Sequence, residues 1–246
     1  MGEDERKRKK ERRTRIEIII ALIVVVLLYL LNSCCHAAEN QVWLEQKIVS
    51  PLMQFDKWGS VLFKAEQEEK FDEHHFIDSE TLVMFGWKMN PYLSFYLGNR
   101  WVYERTSGKG TFSRELRPTF DVCLATPEFW TLKLDFRTRF EYRAKHGSAK
   151  YMRYRERLRI RTSWSVTPFR ISPYVSEEVF FSNKPNTDTA DLFNRNRAQI
   201  GVSLRPIPSI ADLSCNIYYM AQHDILKHAS SWTPMNIWGF EVLYLF

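Results

Sequence analysis

The chain contains four cysteines in 246 residues. None stands in a CxxC or Cys/His spacing, so the usual thiolate metal sites are excluded. Cys34 and Cys35 close an apolar leader, whereas Cys123 and Cys215 lie far apart in strand-like sequence. Two lone cysteines in an exported chain could pair, but their spacing demands no disulfide. A GxSxG nucleophile elbow is missing, which removes one common hydrolase signature. Gly108–Gly110 reads GKG, a turn without the rest of a phosphate-binding loop. Beyond residue 40 there is neither an amphipathic helix nor an apolar run long enough to span a membrane. One sign of charge is hardly in excess. The formal +6 falls to +3 once the leader through Ala37 is set aside, with 27 basic and 24 acidic residues remaining. That balance argues against nucleic-acid binding.

The leader has its own pattern. Arg6–Arg15 is densely basic, Ile18–Leu31 is unbroken and apolar, and NSCCHAAEN follows. A basic start, a short apolar core and a small-residue exit describe a secretory signal peptide, with cleavage expected after Ala37 or Ala38. The apolar core is shorter than the roughly 20 residues of a spanning helix. Two alternatives stay open: an uncleaved anchor, and a lipoprotein lipidated at Cys34 after LNSC, where Asn32 fits poorly. Each of the three exports the rest. The expected organisation is 1–37 as signal peptide and 38–246 as one domain.

Aromatics are abundant at 15%. They recur in stretches of alternating side chains. In Trp130–Arg143 the even positions are Trp130, Leu132, Leu134, Phe136, Thr138, Phe140 and Tyr142. The odd positions are Thr131, Lys133, Asp135, Arg137, Arg139, Glu141 and Arg143. Successive strand side chains point to opposite faces, so one face is apolar and the other charged. Tyr151–Val166 repeats this, with Leu158, Ile160, Thr162 and Trp164 against Arg153, Arg155, Arg157, Arg159 and Arg161. Weaker versions occupy Phe112–Leu124, Ala198–Arg205 and Ala211–Gln222, and further strands are expected at Trp58–Lys70, Thr81–Met89 and Tyr92–Arg105.

Tight, proline-containing turns at Met89–Tyr92, Ala125–Glu128, Val166–Phe169 and Arg205–Pro208 alternate with longer polar links. The longer ones are Thr106–Thr111, Ala144–Lys150, Ser182–Asp191 and Gln222–Thr233. Short turns on one rim and long loops on the other are the outer-membrane barrel pattern. The strands number about ten or eleven, whereas a barrel with both ends in the periplasm needs an even count. Gln41–Ser50 is the segment hardest to place.

A soluble barrel also alternates, but turns its apolar face inward. Here aromatics on the apolar face gather near strand ends, at Trp101, Tyr103, Trp130, Tyr142 and Trp164, as interfacial girdles require. Only helices and closed barrels satisfy every backbone group in lipid. The last strand, NIWGFEVLYLF, sets Trp238, Phe240, Val242, Tyr244 and Phe246 on one face. Val242, Tyr244 and Phe246 are expected to form the signal for insertion by the barrel-assembly machinery. The fold expected is therefore all-β: a closed, antiparallel, up-and-down transmembrane β-barrel of about 10–12 strands.

The motifs QVWLEQ at Gln41–Gln46, RFEYR at Arg139–Arg143, RYRERLRIR at Arg153–Arg161, PYVSEEVFF at Pro173–Phe181 and NRNRAQIG at Asn194–Gly201 recur in order. With the C-terminal aromatic strand they resemble the domain-of-unknown-function family 2490 of bacterial outer-membrane β-barrels. The resemblance implies fold and location, with no established reaction or substrate.

The candidate site is the charged face. Arg137, Arg139, Arg153, Arg155, Arg157, Arg159, Arg161, Arg195 and Arg197 form the basic ladder, with Asp135, Glu141 and Glu178 as acidic partners. Like charges on one strand face repel unless opposed. Two readings follow: ion pairs that fill and brace a narrow barrel, or a pore lining that favours small anions. Glu177 and Glu178 are adjacent, so one of them should face lipid on a regular strand, unless a β-bulge or a site above the hydrocarbon resolves it. Histidines at 74, 75, 146, 223 and 228 fall in expected loops; His74 with His75, or His223 with His228, could bind a metal, but solvated loop polarity is the expected reading. No catalytic residue, metal or cofactor is expected. The expected partners are outer-membrane lipid, the assembly machinery and small anions, with nucleic acid excluded. The alternatives are a surface-exposed binding or adhesion barrel and a barrel lipid hydrolase.

Overall fold

A computed structural model describes residues 39–55, 58–72, 75–105, 111–145, 147, 149–166, 169–183, 193–206, 213–225 and 232–245. The leader and Phe246 lie outside these residues, and so do the expected cleavage site and the end of the insertion signal. The described chain forms strands and no helix. They are β1 (Glu39–Phe55), β2 (Gly59–Asp72), β3 (Phe76–Lys88), β4 (Leu93–Arg105), β5 (Phe112–Ala125) and β6 (Leu132–Lys145). They continue with β7 (Tyr151–Thr162), β8 (Trp164–Val166), β9 (Phe169–Ser182), β10 (Phe193–Pro206), β11 (Leu213–Ile225) and β12 (Trp232–Leu245).

Each strand pairs antiparallel with its sequence neighbours, except that β8 only prolongs the hairpin between β7 and β9. β1 closes the sheet against β12, leaving eleven strands in a closed barrel. The even count expected from the sequence is overturned here. β1 and β12 run parallel, from Glu39↔Met235 to Val49↔Leu245. The parity rule assumes an antiparallel closure, and a parallel seam lifts it. Gln41–Ser50, unplaced by pattern, is the body of this closing strand.

Strand direction assigns every connection to a rim. The facing ends of β1 and β2, β3 and β4, β5 and β6, β8 and β9, and β10 and β11 lie at one rim, the short-turn rim. The facing ends of β2 and β3, β4 and β5, β6 and β7, β9 and β10, and β11 and β12 lie at the other, the long-loop rim. The turns have local causes. Gly59 has φ of 85°, and a Cβ there would stand 2.0 Å from the Lys88 carbonyl oxygen. Asn90 Oδ1 accepts from the backbone N–H groups of Tyr92 and Leu93 at 2.8 and 2.9 Å, the side-chain mimic of a turn.

The barrel is polar inside and apolar outside. On β6, Arg139 is 1% exposed, whereas Phe136 on the other face is 38% exposed. Phe120, Leu97, Ile160 and Phe240 likewise point outward, and Asp121, Glu141 and Arg155 are buried inside. The alternation read from β6 and β7 therefore holds with the charged face inward. Thr162 departs from it: at the interruption before β8 it is buried. β9 has no bulge at Glu177, so Glu178 turns inward and Glu177 outward, near Asn196. Other outward polar groups pair among themselves. Gln67 bonds Ser79 and Thr81 at 2.7 and 2.6 Å, and Thr138 bonds Glu156 at 2.9 Å. Cys123 and Cys215 are free thiols on β5 and β11, so the open disulfide possibility is not realised.

Candidate functional site

Sheet register decides which charges meet. Glu241, Glu45, Glu68 and Glu80 occupy one continuous row across β12, β1, β2 and β3. Four carboxylates side by side would repel. Cations on the adjoining rows answer them. Lys47 reaches Glu45 at 2.7 Å and also Glu241. Lys70 reaches Glu68 at 2.9 Å and Glu80 at 2.7 Å. Arg100 pairs with Glu80 and, at 3.3 Å, with Glu66. Arg117 adds Glu115 at 2.9 Å and Glu80 at 3.4 Å. Several of these bonds skip a strand, joining β4 to β2 and β5 to β3. Only a concave interior permits that reach.

The opposite half, from β6 through β10, is dominated by arginine. Arg139 holds Asp121 through two bonds of 2.6 Å, a fork-to-fork geometry that suits guanidinium and carboxylate. Glu141 accepts from Arg153 at 2.6 Å and from Arg155 at 3.0 Å. Glu178 is shared by Arg137 at 2.7 Å, Arg155 at 2.9 Å and Arg197 at 3.7 Å. Arg195 grips Asp224 at 2.6 and 2.7 Å. Phe180, 1% exposed and inward, lies beneath Arg155 and Arg197 at 4.6 and 4.8 Å from its ring centre. Trp43 sits between Lys70 at 4.7 Å and Arg197 at 4.8 Å. These rings bring the charged halves together through cation–π contacts. Tyr218 fits in the same place because Gly239 presents no side chain; a Cβ there would lie 1.9 Å from its ring.

What remains open is a central cavity of about 330 Å³. It is lined by Arg137, Arg139, Arg153, Arg155, Arg157, Arg159, Arg195, Arg197 and Glu178, all expected from the sequence. Basic groups outnumber acidic ones along its lining. Arg161 is not among them. The last turn of β7 leaves it exposed, paired with Asp135 at 2.9 Å, and this corrects its expected place in the lumen. Asp135 lines a second cavity of about 230 Å³ at the short-turn mouth. Glu141 is fully buried within the wall as a structural partner. Val242 and Tyr244 face outward on β12 as expected. His223 falls inside β11, opposite Asn196, and not in the expected loop.

The reading from sequence missed the acidic half and the inward aromatics. The signal was there in part: Glu45 with Lys47, and Glu66, Glu68 and Lys70, alternate as the arginines do. Trp43 and Phe180 gave none, since an aromatic at a charged-face position looks like an error of register.

The family model described as "Protein of unknown function (DUF2490)" matches residues 40–232. Neither a curated protein nor a solved structure matches.

Proposed function

The chain belongs to the DUF2490 family, whose description assigns no activity, and we propose that it is an integral outer-membrane β-barrel with a narrow lumen that passes small anions. The observation that carries the membrane reading is the reversal of polarity. A barrel with charges inside and Leu97, Phe120, Phe136, Ile160 and Phe240 outside is poorly suited to water and well suited to lipid. The basic and apolar leader supports export through a signal peptide cleaved near Ala37. The long-loop rim then faces the exterior and the short-turn rim the periplasm. Outer-membrane lipid and the barrel-assembly machinery are its partners, with Val242, Tyr244 and Phe246 as the insertion signal.

The anion reading rests on the arginine-rich half of the cavity. Cationic walls draw anions and repel cations at close quarters. A second reading, a braced barrel that does not conduct, is favoured by the ion pairs that skip strands: Arg100–Glu66, Arg117–Glu80 and Arg137–Glu178. Planar-bilayer recording of the full mature chain separates the two. Anion-selective current that falls on Arg157→Glu supports the pore. A folded barrel that carries no current leaves the braced, non-conducting barrel.

A further inference from the structure

Glu178 lies directly across from Arg157 in the β7–β9 register, and Asp135 directly across from Arg159 in the β6–β7 register. Neither carboxylate serves the arginine it faces. Glu178 is taken by Arg137, Arg155 and Arg197. Asp135 is taken by Arg161. Among the described residues, Arg157 and Arg159 therefore have no ion pair, and the Nε of each is buried without an acceptor. Two successive inward arginines of one strand, each half-buried and neither in an ion pair, leave positive charge that a bound anion would compensate.

The surroundings are arranged to keep them so. Arg159 lies 4.6 Å above the Tyr174 ring, which supports the guanidinium plane and contributes no acceptor to it. Both arginines line the central cavity and also the cavity at the short-turn mouth. They therefore stand where the two spaces meet. Ser94 and Cys123 line the mouth side, and Ser176 lines the central side beside Arg159 in register.

We propose that Arg157 and Arg159 form a binding site for a tetrahedral oxyanion of the phosphate class, entered from the short-turn mouth. Guanidinium groups present paired donors that match such oxygens, and a doubly charged anion compensates both residues at once. Chloride offers one charge and no bidentate geometry, so it competes poorly. The site depends on the barrel reading for its access route, but its binding does not require that the lumen conduct.

The test uses the purified full mature chain in detergent, with inorganic phosphate as the probe at constant ionic strength and chloride as comparator. Phosphate is expected to raise the temperature of the heat-induced gel shift, and equal chloride is not. Arg157→Gln and Arg159→Gln should each weaken the phosphate effect about tenfold, the loss of one charged hydrogen-bond partner. Lys150→Gln, on the exposed long-loop rim, should leave it unchanged. Bilayer recording runs in parallel. Stabilisation by phosphate without current keeps this site and removes the pore. Anion current without phosphate stabilisation or block overturns this site and keeps the pore. An equal response to phosphate in both arginine variants and the parent also overturns it.

Discussion

Glu45 on β1 stands directly opposite Glu241 on β12 across the parallel seam, with Lys47 bonded to both. The seam is where the barrel closes, and its two carboxylates depend on one ammonium group. Lys47→Met leaves two adjacent acids, the buried Glu241 and the partly buried Glu45, without their cation. Removing one partner of a buried ion pair costs about 3–5 kcal/mol. The variant should convert to its unfolded gel form at a clearly lower temperature than the parent. Adding Glu45→Gln to Lys47→Met should recover part of the loss, because it removes the repulsion. A Lys47→Met barrel as heat-stable as the parent would contradict the clamp.

Arg139 and Asp121 offer a contrasting case. Both are almost wholly buried, and each satisfies the other through two bonds. Arg139→Met strands a carboxylate, and a loss of about 3–5 kcal/mol is expected in urea unfolding followed by tryptophan fluorescence. The double variant Arg139→Met/Asp121→Leu should lie much closer to the parent, since the pair carries the desolvation cost of both charges. A double variant no better than the single would mean that Arg139 acts chiefly through its other neighbours.

The difference between these two pairs marks what sequence alone could deliver. Asp121 and Arg139 belong to adjacent strands joined by a tight turn, so alternation places both on the inner face and register follows from the hairpin. Arg137, Arg155, Arg157 and Glu178 were legible for the same reason. Glu45 and Glu241 are 196 residues apart and meet only if the barrel closes in parallel. No local pattern records the direction of a closing strand, which is why the count was expected to be even. Arg161 was misplaced for a related reason. Alternation fixes the face of a residue but not its height, and β7 carries Arg161 to the rim.

The reversed polarity predicts a position-dependent penalty outside the barrel. Leu97 on β4 is 65% exposed and flanked in register by Phe85 and Phe120. In a soluble protein, arginine at such an exposed position is close to neutral. In lipid it costs about 2–4 kcal/mol near the midplane. Leu97→Arg should therefore reduce the yield and stability of folding into phosphatidylcholine vesicles. Asn99→Arg, two residues nearer the long-loop rim on the same face, should cost less. Equal stability of Leu97→Arg and the parent in vesicles would count against a lipid-facing β4.

The parallel seam also predicts which residues share a side of the membrane. Because β1 runs with β12, Asn40 lies at the long-loop rim with Gly147, and Met89 lies at the short-turn rim. An antiparallel closure would invert β1 and carry Asn40 to the rim of Met89. Single cysteines at 40, 89 and 147 distinguish the two, in a background where Cys123 and Cys215 are replaced by serine. An impermeant maleimide added to intact cells should label positions 40 and 147 and spare 89, if the long-loop rim faces outward. Reversal of the whole barrel would exchange the labelled set but keep 40 with 147, because both belong to the same rim. Labelling of 40 together with 89 would break the eleven-strand closure, and with it the row of carboxylates that Lys47 and Lys70 hold together.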